Sequence, residues 1–274
     1  MTARHEADLE RLDVLLVRRG LAPTRVKARA LILAGQVLSG EVRLEKPGHR
    51  VRQNLPLALR EGRRFVSRGG HKLAAAIDRF SIVVADRDVL DVGASTGGFT
   101  QVLLEAGARR LIALDVGRGQ LDWTLRRDPR VRVLDGVNAR HLVPTLLPFL
   151  PSLAVVDVSF ISLKLVLPKM KACLADRGEI VALIKPQFEV GRGLVGRGGV
   201  VRDFALHRVV LATFGQHAAD GGWGLVNLCA SALRGAEGNQ EYFLHLAPGS
   251  TGLDEAELTQ RIATATEPHE ESRS

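Results

Sequence analysis

The chain has 274 residues, 46% of them hydrophobic and 25% charged, which is enough to bury a substantial core in one medium domain and a small one. Its two cysteines, Cys173 and Cys229, stand far apart without C-x-x-C spacing, which argues against a disulfide framework, a zinc site or another bound metal. The amino terminus lacks an apolar signal core and no stretch reaches the roughly 18 apolar residues of a membrane span, so we expect a cytoplasmic protein without membrane insertion.

The formal net charge is +8, and its position matters more than its size. Residues 1–70 contain 15 Lys and Arg against 7 Asp and Glu, whereas residues 71–274 contain 23 of each kind. A basic head on a neutral body predicts a polyanionic partner, most simply nucleic acid. A solvated basic face without a partner is the alternative at this point.

The basic head has the pattern of two short helices and a small hairpin. The first helix is expected from Leu9, with Leu9, Leu12, Leu15 and Leu16 on one face and Gly20 as its stop. Thr24 is the expected cap of the second helix, which should bury Val26, Ala30, Leu31 and Leu33. Two short strands, Gln36–Leu38 and Glu41–Leu44, then meet at a turn through Ser39 and Gly40.

The motifs R-L-D-V-L-L-V-R-R-G-L-A and R-x-x-A-x-x-L-I-x-A-G-x-V resemble the S4-like RNA-binding domain of ribosomal and RNA-modifying proteins. The resemblance covers residues 11 to about 60 and implies a domain over 1–60 that recognises RNA by its shape. It also implies phosphate contacts that supply affinity rather than sequence readout. The candidates for these contacts are Arg18, Arg19, Arg25, Lys27 and Arg29.

A junction and a second domain follow. Residues 61–70 are expected to form the linker, 71–248 the larger domain and 249–274 a polar tail. After the linker, H-K-L-A-A-A-I-D-R-F predicts a helix that begins close to Lys72. A lysine opposes the helix dipole at that position, so it is a poor choice for stability alone.

The stretch D-V-L-D-V-G-A-S-T-G-G-F-T, residues 88–100, predicts a strand, a glycine-rich turn and the start of a helix. This is the first unit of a nucleotide-binding α/β sheet. Because a dinucleotide fingerprint needs glycine where Ser95 stands, the turn favours S-adenosylmethionine, which has no pyrophosphate. A turn that binds no ligand remains possible. The candidate cofactor residues here are Asp91, Gly93, Ala94, Ser95, Thr96, Gly97 and Gly98.

Apolar runs then alternate with stretches of helix length, which predicts a doubly wound parallel sheet. The runs are Leu111–Asp115, Val131–Leu134, Leu153–Val156 and Ile180–Ile184. Asp115 ends the second strand and is the candidate for the cofactor ribose hydroxyls. Asp135 and Gly136 end the third and are candidates for the adenine end, although Asp115 and Asp135 could both be ordinary strand-end turn residues.

The fourth and fifth strands end in charges of opposite sign, Asp157 and Lys185. Pro186 removes a backbone donor directly after the lysine, so the strand must stop there. We therefore expect the two side chains to share a cleft at the sheet edge. Residues 189–200 hold five glycines and two arginines and predict a mobile basic loop or a disordered connector.

With the glycine turn, four residues resemble the Lys-Asp-Lys-Glu tetrad of FtsJ-like ribose 2′-O-methyltransferases: Lys72, Asp157, Lys185 and Glu241. The S-R-G-G-H-K-L, K-P-Q-F-E and G-N-Q-E-Y-F segments narrow the resemblance to the TlyA (hemolysin A) family. It implies an α/β, Rossmann-like S-adenosylmethionine-dependent methyltransferase fold with a small N-terminal S4-like α+β RNA-binding domain. The implied activity is 2′-O-methylation of cytidines in ribosomal RNA or ribosomal subunits. Because a ribose hydroxyl is a weak acid whose proton must be removed, our hypothesis is that Lys185 is the base or its immediate orienter.

Three other functions fit the sequence less well. An NAD-dependent oxidoreductase is disfavoured by Ser95 and by the basic head, and a membrane-active hemolysin by the lack of a spanning or strongly amphipathic segment. An RNA-binding protein without catalysis is disfavoured by the complete tetrad. The sequence predicts neither the modified nucleotide nor the oligomeric state.

Overall fold

The structure is a computed structural model that describes residues 8–59 and 65–267. Its contacts divide the chain into two compact units, Met1–Arg64 and Phe65–Ser274. Part of the expected linker, 61–64, and the last residues of the expected tail, 268–274, lie outside the described residues.

The first unit is a small α+β domain. It contains two helices, α1 (Leu12–Arg18) and α2 (Arg25–Leu33), and short strands β1 (Leu9–Arg11), β2 (Val37–Ser39), β3 (Val42–Arg43), β4 (Arg50–Arg52) and β5 (Ala58–Leu59). Strand β1 pairs antiparallel with β4, and β2 lies between β3 and β5. The expected hairpin is confirmed, with Gly40 at φ 59° between β2 and β3.

Two details of this unit differ from the sequence prediction. Leu9 begins strand β1 and not the first helix, because its backbone pairs with Arg52 of β4. Thr24 does cap α2, but most of the expected buried face is wrong: Val26 is 80% exposed and Leu33 69% exposed. Ala30 is exposed as well, and of the four predicted residues Leu31 packs against the core, partly buried. Helix α2 instead buries Ala28 and Ile32, one turn apart, in a core that also contains three leucines of α1.

The second unit is a seven-stranded sheet with helices on both faces, as predicted. Its strands are β6 (Asp88–Val92), β7 (Arg110–Asp115), β8 (Val131–Asp135), β9 (Leu153–Val156), β10 (Glu179–Ile184), β11 (Trp223–Ala230) and β12 (Tyr242–Pro248), in the order β8-β7-β6-β9-β10-β12-β11. Among these strands, β12 runs in the direction opposite to the other six and so pairs antiparallel with β10 and β11. The helices are α3 (Arg68–Phe80), α4 (Gly98–Glu105), α5 (Trp123–Arg126), α6 (Leu167–Ala172), α7 (Phe204–Asp220) and α8 (Glu255–Ala265).

Side chains alternate along the central strands and so build two cores. Val89 of β6 points into the core that contains α3 and α4, whereas Leu90 points into the core that contains α6 and α7. The strands are buried on both faces, which explains their continuous apolar sequences. Helix α8, in the expected tail, also packs here through Ile262 and begins with a capping box of Asp254 and Glu257.

The sheet order places a topological switch between β6 and β9, since the chain leaves β6 in one direction and returns on its other side. Ligands of open α/β sheets bind at the carboxyl ends of strands at such a point. Among the described residues, no helix has the length and apolar character that crossing a bilayer requires.

Candidate active site

The glycine-rich turn is tightly packed against its own protein. Gly93 has φ 87°, and a Cβ there would lie 2.1 Å from the backbone oxygen of Asp157. A Cβ on Gly98 would lie 2.0 Å from Ser67 Oγ and 2.9 Å from the amide nitrogen of Gly70. The glycines therefore allow β6 to approach β9 and α4 to approach the start of α3. Sequence reasoning expected close approach to a ligand and missed these protein contacts.

A cavity of about 420 Å³ opens beside this turn. Three of the predicted cofactor residues line it: Gly93, Ser95 and Asp115. The other lining residues are Val92, Leu114, Val116, Gln120, Val137–Arg140 and Asp157–Ile161. Ala94, Thr96, Gly97 and Gly98 shape the turn behind it, with Gly97 in the left-handed region at φ 99° as the cap of α4. The cavity thus lies at the switch point of the sheet.

Asp115 joins two turns at the cavity wall. One carboxylate oxygen accepts the amide N–H of Ser95 at 2.8 Å, and the other accepts that of Gly117 at 2.7 Å. Each oxygen keeps a free lone pair, so both can still accept a hydrogen bond from a ribose hydroxyl. The acceptor oxygens of Asp115 and the cavity beside them therefore fit an adenosine-type cofactor.

Asp135 and Gly136 lie outside the cavity lining, although they were predicted for the adenine end. The Asp135 carboxylate accepts from Arg126 at 2.6 Å and from the amide of Gly119 at 3.1 Å, and the Arg126 guanidinium lowers its pKa. The residues directly after Gly136 reach the cavity instead, beginning with Val137. The adenine contact of Asp135 stays a prediction.

Asp91 is fully buried beneath the turn. One of its carboxylate oxygens accepts the Thr100 hydroxyl at 2.6 Å, and the other has no hydrogen-bond partner among the described residues. Burial raises the pKa of Asp91 to about 7. A direct contact of this side chain with the cofactor remains a prediction.

The raised pKa of Asp91 predicts a pH-dependent stability. An unfolded aspartate has a pKa of about 3.9, so between about pH 4 and about pH 7 the folded state binds one more proton than the unfolded state. The free energy of unfolding should therefore fall as the pH rises through this window, and Asp91→Asn should remove the decrease that is due to Asp91. Urea unfolding of both proteins at about pH 5 and about pH 8 measures this decrease. A difference between wild type and variant that stays constant with pH would contradict the expectation.

The four predicted tetrad residues form two ion pairs at the carboxyl edge of the sheet. Lys185 Nζ lies 2.6 Å from Asp157 Oδ1 and donates to Ser159 Oγ at 2.8 Å. Lys72 Nζ donates to Glu241 Oε2 at 2.6 Å, and both of these side chains are buried. Buried ammonium and carboxylate groups require such partners.

The sheet register explains how distant residues reach this edge. Ile184 of β10 pairs with Tyr242 of β12, so Lys185 and Glu241 are the next residues at the same end of the two strands. Strand β9 lies on the other side of β10. Directly after β9, the amide of Asp157 donates to the carbonyl oxygen of Val92, the last residue of β6, at 2.9 Å. A continuous series of strand ends thus connects the cofactor cavity to the two ion pairs.

Glu189, which sequence reasoning overlooked, ties together the loops after β9 and β10. Its carboxylate accepts the Ser162 hydroxyl at 2.7 Å and the amide of Leu163 at 2.8 Å. Burial raises the pKa of Glu189. One feature of the sequence could have identified Glu189: it is an acidic residue four positions after Lys185, in a segment that must leave the sheet at Pro186. Glu189 therefore holds the loop that carries Ser159 against the loop that follows Lys185.

Loss of the Glu189 side chain should weaken this connection. Glu189→Ala leaves the buried Leu163 amide without an acceptor, so we expect about 2 kcal/mol lower stability. Glu189→Gln keeps an acceptor for the amide and a donor for Ser162, so it should retain most of the stability. Urea unfolding compares the two variants. Equal loss in both variants would contradict a hydrogen-bonding role.

The basic glycine loop, 189–200, follows a defined path in the structure. The Asn239 side chain accepts the amide of Val201 at 2.9 Å and donates to the carbonyl of Gly199 at 2.9 Å. Asn239 is buried and belongs to the G-N-Q-E segment that ends in Glu241. The loop is therefore fastened to the chain segment that positions the tetrad, which the sequence did not predict.

The five predicted RNA contacts of the first unit fall into two groups. Three have partners within the unit: Arg18 pairs with Glu10 at 2.9 Å, Arg19 donates to the carbonyl of Leu55 at 2.6 Å, and Arg25 pairs with Asp13 at 3.1 Å. Lys27 and Arg29 are exposed on α2. All five remain predictions as RNA contacts.

The comparisons with known proteins agree with this geometry. A family model described as FtsJ-like methyltransferase matches residues 65–247, and a model described as S4 domain matches residues 10–55. The chain belongs to the FtsJ-like methyltransferase family. The resemblance to FtsJ-like methyltransferases and to the S4 domain is thereby confirmed for the two domains, and the roles of the four tetrad residues stay predictions.

Among its full-length relatives, this FtsJ-like methyltransferase is similar to the 16S/23S rRNA (cytidine-2′-O)-methyltransferase TlyA of Mycobacterium tuberculosis, with 47% identity over 90% of this chain and 95% of the relative. It is 45% identical to the putative rRNA methyltransferase YqxC of Bacillus subtilis over 92% of this chain and 90% of the relative. A solved structure, a putative hemolysin from Streptococcus thermophilus, covers 93% of this chain and 95% of its own, with 42% identity and a TM-score of 0.71. The expected relation to TlyA proteins is confirmed.

Proposed function

We propose that this FtsJ-like methyltransferase uses S-adenosylmethionine to methylate the 2′-hydroxyl of cytidine in ribosomal RNA of one or both subunits. A cytoplasmic site of action follows from such a substrate. The observation that carries the proposal is the position of two Lys–carboxylate pairs at the strand ends beside the cofactor cavity. The naming of TlyA relatives as cytidine-2′-O-methyltransferases of rRNA supports the substrate.

The chain's own residues account for the chemistry required. Bound in the cavity, S-adenosylmethionine would supply an electrophilic methyl group. A ribose hydroxyl is a weak acid, so its attack requires close alignment and removal of its proton. Lys185 Nζ, held by Asp157 and Ser159, is the group that orients the hydroxyl or accepts the proton in its neutral form. Lys72 is a second hydrogen-bond donor, and Glu241 fixes its position.

An exposed aromatic residue at the rim of the cavity fits the base of the target nucleotide. Phe160 is 88% exposed, has φ 63°, and lies 5.2 Å from the ring of Phe188. A large apolar side chain held in water with a left-handed backbone is unfavourable for stability alone. Unstacked RNA bases stack on such rings.

Removal of the Phe160 ring should therefore weaken RNA binding. Base stacking is worth about 1–3 kcal/mol, so Phe160→Ala should raise the KM for RNA by at least about 5-fold with unchanged cofactor affinity. Phe160→Tyr should stay near wild type. Trp123→Ala is the matched control, because Trp123 is also exposed but lies outside the cavity lining. Equal KM values for Phe160→Ala and the control would contradict the stacking role.

The proposed function is tested by transfer of labelled methyl groups to isolated 30S and 50S subunits, followed by digestion to nucleosides and mass spectrometry. The expected product is 2′-O-methylcytidine. A methylated base would preserve the cofactor and remove the tetrad mechanism. No transfer to either subunit would favour an RNA-binding protein without catalysis.

A further inference from the structure

A second and larger cavity lies next to the tetrad and is separate from the cofactor cavity. It has a volume of about 900 Å³ and is a groove between α3 and the segment that follows β11. Lys72 lies in its lining, whereas Asp157 lines the cofactor cavity. Each ion pair of the tetrad therefore contributes one residue to the lining of a cavity, and a nucleotide held at the tetrad would have open space on the side away from the cofactor.

Small side chains keep this groove open. Ala75 and Ala76 of α3 face Cys229 and Ala230 at the end of β11, and Phe243 of β12 completes the apolar floor. Strand β11 is at the edge of the sheet, whereas α3 packs over the inner strands of the sheet. The surface of β11 beside α3 is therefore left uncovered. Arg68 donates to the carbonyl of Arg234 at 3.0 Å, which fixes the outer wall to the first turn of α3.

The walls of the groove carry positive charge. Arg79 extends from the last turn of α3 and Arg234 from the opposite wall, and both are exposed. Within residues 8–59 and 65–267 neither forms an ion pair with a carboxylate, and Asp78 is the acidic residue of the lining. Lys72 and Arg79 are seven residues apart, so the charged path extends about 10 Å along the helix from the tetrad.

We propose that this groove binds the RNA strand beside the target nucleotide, with Arg79 and Arg234 contacting its phosphates. The inference rests on the proposed function, because it takes the tetrad as the place where the ribose is held. Guanidinium groups bind phosphates through two parallel hydrogen bonds, and an open groove with an apolar floor accepts the sugar and base edges of a single strand. The groove thus orients the substrate from the side opposite the methyl donor.

The test combines three groove variants with a matched control. Arg79→Gln and Arg234→Gln each remove one positive charge, and Ala75→Glu places a carboxylate at an exposed position of the groove floor. Arg177→Gln is the control, because Arg177 is exposed in the turn before β10. That turn is at the amino end of the strand, whereas the tetrad is at the carboxyl ends. Cofactor affinity and melting temperature, measured on the same proteins, establish that each variant is folded.

Methyl transfer to 30S and 50S subunits is measured at several salt concentrations. We expect each arginine variant to raise the KM for the subunit about 10-fold, and the slope of log affinity against log salt to fall by about 0.7 for each lost phosphate contact. Ala75→Glu should raise the KM further, while kcat at saturating substrate changes little. A structural role alone would not alter the salt slope.

The outcomes separate this inference from the proposed function. If wild type transfers methyl groups and all three groove variants match Arg177→Gln in KM and salt slope, the groove does not bind the strand and the function stands. If the wild-type protein methylates neither subunit, the proposed function is wrong, and so is the inference that the groove binds the RNA strand beside the target nucleotide.

Discussion

Lys185→Ala is expected to lower the single-turnover rate of methyl transfer about 1000-fold, within the range of general acid–base and positioning effects. The lysine amine is the atom shared by Asp157 and Ser159 at the end of β10, and no other described side chain replaces it there. Cofactor affinity should change little, because Lys185 is outside the lining of the cofactor cavity. Rapid-quench assays with saturating cofactor and RNA measure the rate directly.

Two further variants make the result specific. Lys169→Ala removes an exposed lysine of α6 away from the tetrad, and it should keep the wild-type rate. Lys185→Arg retains the positive charge, but a guanidinium is always protonated and therefore cannot accept the proton of the ribose hydroxyl. This variant should be as inactive as Lys185→Ala. A Lys185→Ala protein with wild-type single-turnover transfer would remove Lys185 from the mechanism.

Gly93→Ala is expected to have the second largest effect, on cofactor binding and stability together. The added Cβ would meet the backbone of Asp157 at 2.1 Å, and this oxygen cannot move without shifting the end of β9. Left-handed strain and overpacking together predict a loss of about 3 kcal/mol. Because the shift affects both the turn and Asp157, cofactor affinity should fall at least about 10-fold.

Gly249→Ala separates backbone strain from steric overlap. Gly249 also has positive φ, at 68°, but a Cβ there has no neighbour within 4 Å. This control should lose only about 1 kcal/mol and bind cofactor normally. Calorimetry of cofactor binding and thermal unfolding compare the two alanine variants. Equal values for both would show that the close approach of β6 to β9 is unimportant.

The strands of the larger unit could be predicted from the sequence because they are continuous apolar runs of the correct length. Leu153–Val156 is observed with the predicted bounds, and each of the other three predicted runs differs from its strand by one residue at one end. The charges that end these runs, Asp157 and Lys185, were identified for the same reason, since charge directly after a buried strand must lie at its edge. The ion pairing of these two residues follows from the pairing of β9 with β10, which the structure shows.

Other features depend on contacts that periodicity does not contain. The nine residues of α2 offer two apolar faces, and the sequence does not show that α1 selects Ala28 and Ile32 over Val26 and Leu33. Asp135 has the same strand-end position as Asp115, but a nearby arginine, Arg126, engages its carboxylate. Glu189 and Asn239 act through loops whose partners are distant in sequence.

The most direct test of the account is the position of the transferred methyl group within the nucleotide. Alkali cleaves RNA only where a free 2′-hydroxyl can attack the neighbouring phosphate. Ribosomal RNA labelled by the enzyme with methyl groups is therefore hydrolysed completely and separated by charge. Methylation of the ribose oxygen predicts that the label is recovered in alkali-resistant dinucleotides. Label recovered in mononucleotides would place the methyl group on a base and contradict the central claim.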